Sequence, residues 1–256
     1  MFKILITVSV IAAGCLGHSE AKPNFDARIV GGDVADIEDF PYEVSIEYSG
    51  VFDCAGSIIS NEWVVTAAHY LKNLETSKVQ VRSGTAEKEN GGILHGVSEI
   101  IMNPNFDEGH NYDGDIALIK VVPPFEFGPT VQSIPLAEKV PEDGAMATVS
   151  GWGAELDGDV LSPELRYVNV PIVNHDLCEH DYFDRGGITN NMICAGFEQG
   201  GKDACTGDVG GALVVEGKLV GIVSFGYHCG DPDYPGVYTN VAVFRQFIHD
   251  TTEVRG

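Results

Sequence analysis

Residues 207–225 read Gly207-Asp208-Val209-Gly210-Gly211-Ala212-Leu213-Val214-Val215-Glu216-Gly217-Lys218-Leu219-Val220-Gly221-Ile222-Val223-Ser224-Phe225. Two runs rich in β-branched residues, Ala212 to Val215 and Leu219 to Phe225, flank the turn pair Glu216-Gly217, the pattern of two strands with a break between them. The pattern continues outward through Tyr42 to Tyr48, Ile58 to Ile59, Trp63 to Thr66, Val79 to Arg82, Ile116 to Val122, Ala145 to Val149 and Arg166 to Ile172. Breaks at Asn90-Gly91-Gly92, Pro123-Pro124 and Asp157-Gly158 separate these runs. Many short strands between turn residues predict an all-β sandwich or barrel. Only Val241 to Asp250 carries helical spacing, with Val241, Phe244, Phe247 and Ile248 on one face, so the chain is expected to end in a helix.

A chain of 256 residues with 44% hydrophobic content can bury a core, which excludes a disordered polypeptide. Thirty-one Gly and 12 Pro against 4 Met fit a turn-dense β protein better than a helical bundle. With no internal repeat or flexible linker, two β halves sharing one interface are expected, the seam falling near Val131 to Pro141. The 38 acidic and 15 basic residues give a net charge of -23, which excludes the Lys/Arg footprint of a nucleic-acid binder and favours basic partners.

Residues 1–17, MFKILITVSVIAAGCLG, have one early Lys, an apolar run and small residues at the end, the pattern of a secretory signal peptide. No later stretch is apolar for long enough to predict a membrane span, so a soluble, extracellular protein is expected. Removing residues 1–28 leaves 12 basic and 36 acidic residues, a net of -24. Five cysteines then remain, Cys54, Cys178, Cys194, Cys205 and Cys229, an odd number in an oxidising compartment, so two bridges and one unpaired thiol are expected, with the pairing left open by spacing. No Cys/His cluster of zinc type occurs, no metal or other cofactor is expected, and no Asn-x-Ser/Thr sequon is present.

Ile29-Val30-Gly31-Gly32, Thr66-Ala67-Ala68-His69, Asp115-Ile116-Ala117-Leu118, Ser150-Gly151-Trp152-Gly153 and Tyr234-Pro235-Gly236-Val237-Tyr238 together resemble the trypsin-like serine proteases, from Ile29 to the end of the chain. The resemblance implies two six-stranded antiparallel β-barrels packed around a cleft, the first over residues 29–133 and the second over 134–240, with a terminal helix at 241–250. It implies a propeptide at 18–28, cleavage after Arg28, and an ion pair between the new Ile29 amine and Asp208. His69 matches the base and Asp115 the acid that orients it, but Val209 stands where the nucleophilic serine should be. An isopropyl group has neither a proton to give nor a lone pair with which to attack, so an acyl-enzyme cannot form on Val209. A degenerate triad and a protein that is not an enzyme are expected.

By the same resemblance, the backbone N–H groups of Gly207 and Val209 form the oxyanion hole. Asp203 is the acid at the base of a pocket for Lys or Arg, with Ser224, Gly226 and Gly236 around it and His228 in place of a usual Gly at its mouth. His228 is expected to obstruct that pocket, the alternative being residual capture of a basic side chain. Cys178–Cys194 and Cys205–Cys229 are the implied disulfides. Tyr70 occupies the place of the partner expected for Cys54, leaving a buried thiol or, alternatively, the bridge of a dimer; a monomer is otherwise expected. Val209→Ser alone is expected not to restore trypsin-like rates, because His228 and the missing bridge remain.

Thr189 to Gly196, Gly200 to Asp203 and Gly221 to Ser224 look like the mite group 3 allergens, and the altered triad, orphan cysteine and His228 look like the scabies mite inactivated protease paralogues. That likeness implies secretion into the gut lumen and binding of host plasma or complement proteins, with inhibition of the cascade. The alternatives are a weakly active endopeptidase using another nucleophile, and a decoy for substrates or protease inhibitors.

Overall fold

The computed structural model describes residues 29–109 and 111–254. The signal peptide at 1–17, the propeptide at 18–28 and Arg28 lie outside the described residues. β2 (Glu43–Tyr48), β3 (Val51–Ile58), β4 (Trp63–Thr66), β5 (Val79–Ser83), β6 (Ile93–Met102) and β7 (Ala117–Val122) close into an antiparallel barrel in the order β2-β3-β4-β7-β6-β5. Its interior is filled by Val44, Ile46, Ile58, Val64, Val81, Ile119 and their neighbours.

The second barrel consists of β8 (Met146–Gly151), β9 (Arg166–Val173), β10 (Met192–Ala195), β11 (Ala212–Val215), β12 (Lys218–Phe225) and β13 (Gly236–Asn240). The sheet runs β9-β10-β13-β12-β11-β8 and closes through β8–β9 pairing. Ala147, Val149, Val168, Val170, Ile193, Leu213 and Val223 form its core. A two-residue strand, β1 (Asp33–Val34), lies within the first segment of sequence yet pairs with β9 of the second barrel. The start of the domain therefore straps the far barrel before the chain enters the near one.

A third apolar layer welds the halves. Val65 and Leu118 of the first barrel, Ile134 and Leu136 of the connection, and Leu219 and Ile222 of the second pack with Val241 and Ile248 of the terminal helix α3 (Val241–Thr252). Phe244 and Phe247 pack against the same layer, so the face read from the 3.6-residue period is the buried one. Glu43 crosses the seam as well. It is fully buried and accepts a hydrogen bond from Ser150 Oγ of β8 at 2.8 Å, and burial pushes its carboxyl well above the ordinary range.

Both implied disulfides are present, Cys178–Cys194 and Cys205–Cys229. Cys54 is free and completely buried in the first barrel, with Tyr70 packed on the same cluster. Of the two alternatives for Cys54 the structure has the buried thiol, and burial raises its pKa far above the ordinary thiol range. Among the described residues no helix is long and apolar enough to cross a membrane.

Candidate active site

The polar cluster at the seam begins with Asp115, fully buried just ahead of β7. Its Oδ2 lies 2.6 Å from His69 Nδ1 and its Oδ1 accepts the His69 backbone N–H at 2.9 Å. His69 belongs to the single-turn helix α1 (Ala68–Leu71), whose N-terminus has no side-chain cap of its own, so the distant Asp115 carboxylate serves one of its orphan N–H groups. Ser224 Oγ donates to Asp115 Oδ2 at 2.6 Å, and Thr239 Oγ1 donates to the Asp115 carbonyl at 2.6 Å. Asp115 is thereby fixed from both barrels, and with Nδ1 turned inward the imidazole presents Nε2 to the cleft. Tyr70 and Tyr112 each place a ring centroid 4.8 Å from the imidazole.

The loop 203–211 supplies the opposite wall. Val209 lines the same cavity as His69, and its carbonyl accepts the Ala55 N–H at 2.9 Å. Gly207 (φ +96°) and Gly210 (φ +83°) have backbone angles that side chains resist; a Cβ at Gly210 would sit 2.2 Å from both the Ala55 carbonyl oxygen and Thr66 Oγ1. Among the described residues no acceptor is found for the Gly207 or Val209 N–H, so two backbone donors remain free for an oxyanion. Asp208 turns the other way. It is fully buried, takes hydrogen bonds from Gly153 N–H at 2.7 Å and Cys205 N–H at 2.8 Å, and is pushed up to about 7 by burial, against the pull of those two bonds. Ile29 is also fully buried, in the second-barrel core, and Val30 bridges to Asp203.

A cavity of about 420 Å³ runs from His69 to Asp203. Asp203 is buried and accepts the Gly230 N–H at 3.0 Å through Oδ2, while Oδ1 has no partner. Burial is the main cause that pushes this carboxyl to about 7. The Tyr238 hydroxyl, another part of the wall, is also buried without a partner. Gly236 keeps the floor open, since a Cβ there would lie 2.5 Å from Asp203 Oδ1. An anionic floor with unfilled acceptors, at the end of a cavity wide enough for a side chain, suits a guanidinium or ammonium group.

Two expectations for this pocket are corrected. His228 does not plug it: with φ +62° its imidazole turns to Asp157, Nδ1 to Oδ2 2.8 Å, and lies as one part of the cavity wall. The Ser224 hydroxyl is turned to Asp115 and not to the Asp203 floor, which also removes it as a substitute nucleophile.

A profile of the family described as Trypsin matches residues 29–248. The chain is 42% identical to trypsin alpha of Drosophila melanogaster over 258 residues, covering 98% of each sequence. It is 39% identical to the trypsin of Phaedon cochleariae over 255 residues, covering 98% of this chain and 97% of the relative. The chain belongs to the trypsin family.

The expectation that this protein is not an enzyme is thereby overturned: relatives named trypsin align with it along nearly their whole length, and it belongs to their family of serine endopeptidases. That expectation rests on Val209, which lines the cavity beside His69. The His69–Asp115 pair, the free N–H groups and the Asp203 pocket are in place around it. Sequence reading missed several parts of this trypsin cleft. Tyr112 owes its place over His69 to a loop in which Asn111 and Tyr112 both have positive φ, 52° and 58°. That loop is tied across the seam by Asn111 Nδ2 to the Gly187 carbonyl at 2.8 Å and by Asn191 Nδ2 to Asp113 Oδ1 at 3.0 Å. Asp157 was legible only as half of the turn pair Asp157-Gly158.

Proposed function

We propose that this protein is a trypsin-like endopeptidase of low turnover whose cleft selects basic side chains. The unpartnered, buried Asp203 Oδ1 on the floor of an open cavity carries this reading, because a lone acceptor there is costly until a cation fills the space.

The chemistry available without an oxygen on Val209 is general-base hydrolysis. His69 Nε2 takes a proton from a water molecule as the water oxygen bonds to the scissile carbonyl carbon. The Gly207 and Val209 N–H groups stabilise the resulting oxyanion, and Asp115 stabilises the imidazolium. The proton then passes to the leaving amine as the C–N bond breaks. In comparable sites the oxyanion hole and substrate binding alone leave about 10³ to 10⁴-fold acceleration over water after a triad member is removed. The same pocket would hold a protease inhibitor or plasma protein that presents an exposed Lys or Arg, so slow turnover and tight capture are two outcomes of one geometry.

The test is hydrolysis of an Arg-amide peptide by chain beginning at Ile29. Slow cleavage after Arg, lost in His69→Ala and not accompanied by labelling with a serine-directed fluorophosphonate, supports the proposal. Cleavage unchanged in His69→Ala would refute it.

A further inference from the structure

The mouth of the pocket holds a carboxylate that the reading above leaves unused. Asp157 sits on the loop between Gly153 and Ser162 and lines the same cavity as Asp203. His228 Nδ1 binds its Oδ2 at 2.8 Å and fixes its direction. His228 is itself held by the Tyr227 ring at a centroid distance of 4.5 Å, and the Arg185 guanidinium covers Tyr227 at 3.8 Å. Oδ1 of Asp157 lies 3.1 Å from Cys229 Sγ, but that sulfur is bonded to Cys205 and carries no proton, so it gives the oxygen no hydrogen bond. The cavity thus has two carboxylates: Asp203, nine-tenths buried and with Oδ1 unpartnered, and Asp157, half exposed at the entrance with its own Oδ1 open. The Asp157 charge reaches Asp203, where it adds to the upward shift.

We infer that Asp157 is a second cation subsite at the pocket mouth, so that the cleft selects ligands with two positive groups, one reaching Asp203 and one held at the entrance. A peptide with adjacent basic residues, or a bis-cationic small molecule, is the class of ligand that fits. This rests on the proposed role of Asp203, and the experiment separates the two.

Benzamidine, with one amidinium, and a bis-benzamidine joined by a flexible alkyl chain are titrated against the chain beginning at Ile29 and against Asp157→Asn, at low ionic strength. Asp157 is exposed, so its replacement leaves the fold intact. The ratio of the two affinities, in which any effect of the Asp157 charge on the Asp203 site divides out, is expected to fall about three- to fivefold in the variant, the strength of one partly exposed ion pair. Addition of 1 M salt should compress the same ratio. An unchanged ratio with normal benzamidine binding overturns the Asp157 subsite and leaves the Asp203 pocket standing. Absence of benzamidine binding to the unaltered protein overturns both.

Discussion

Val209 contributes an alkyl group to the cavity wall it shares with His69, and the groups around it are aligned. His69 is fixed at 2.6 Å from Asp115, and the pocket beyond is open. His228 is turned aside to Asp157, whereas Cys54 stays unpaired and the bridge near His69 is still missing. Val209→Ser is accordingly expected to raise kcat on an Arg-amide substrate by at least about 10³, since loss of the nucleophile in comparable triads costs about 10⁶. A change of less than tenfold, measured under single-turnover conditions, would show that the loop does not present residue 209 to Nε2. Gly210→Ala belongs to the same scale: φ +83° and a 2.2 Å clash with backbone predict a loss of at least about 3 kcal/mol in a denaturant melt.

At the scale of the element, the loop 203–211 carries two buried carboxyls, Asp203 and Asp208, both pushed up to about 7 from an ordinary 3.8. The sign follows from linkage. Below about pH 4 both are protonated whether the chain is folded or not. Between about 4 and 7 the unfolded chain ionises first, so the fold loses stability as pH rises, by several kcal/mol in all, and above 7 the loss is complete. If the Ile29 amine made by cleavage after Arg28 pairs with Asp208, that cleavage should raise Tm more at pH 8 than at pH 5. Equal gains at both pH values, by calorimetry of cleaved and uncleaved chain, would argue against the pair. The legibility of elements had a clear limit. β11 and β12 were readable because short β-branched runs met at Glu216-Gly217. β6, from Ile93 to Met102, was not, because much of it is exposed and its burial does not alternate. β13 opens with Gly236, a strand-breaking residue kept by the nearness of Asp203 Oδ1. The site residues were readable as motifs, whereas contacts such as His228–Asp157 join positions 71 residues apart that no local pattern links.

For the whole molecule, stability and site geometry share the same seam. Glu43–Ser150, the Asp113–Asn191 tie and the Asp115 contacts with Ser224 and Thr239 all join one barrel to the other. The Cys205–Cys229 bridge spans a separation of 24 residues and clamps the loop carrying Asp203 and Val209 to the pocket wall. Replacing both cysteines by Ala should cost about 2 to 4 kcal/mol and weaken ligand binding in the pocket. Loss of stability with unchanged binding would mean the bridge does not shape the pocket. Cys54 should react with a thiol reagent only after denaturation, and the native protein should run as a monomer without reductant.

The most direct test of the central claim, that a buried carboxylate oxygen at the end of the cleft awaits a cation, is calorimetric titration of chain beginning at Ile29 with benzamidine across pH 5 to 9. Dissociation constants in the millimolar range or tighter, strengthening as pH rises through about 7 and weakened at least tenfold in Asp203→Asn, are the expected result. Binding that is indifferent to both pH and the Asp203 substitution, or no saturable binding at all, would contradict it.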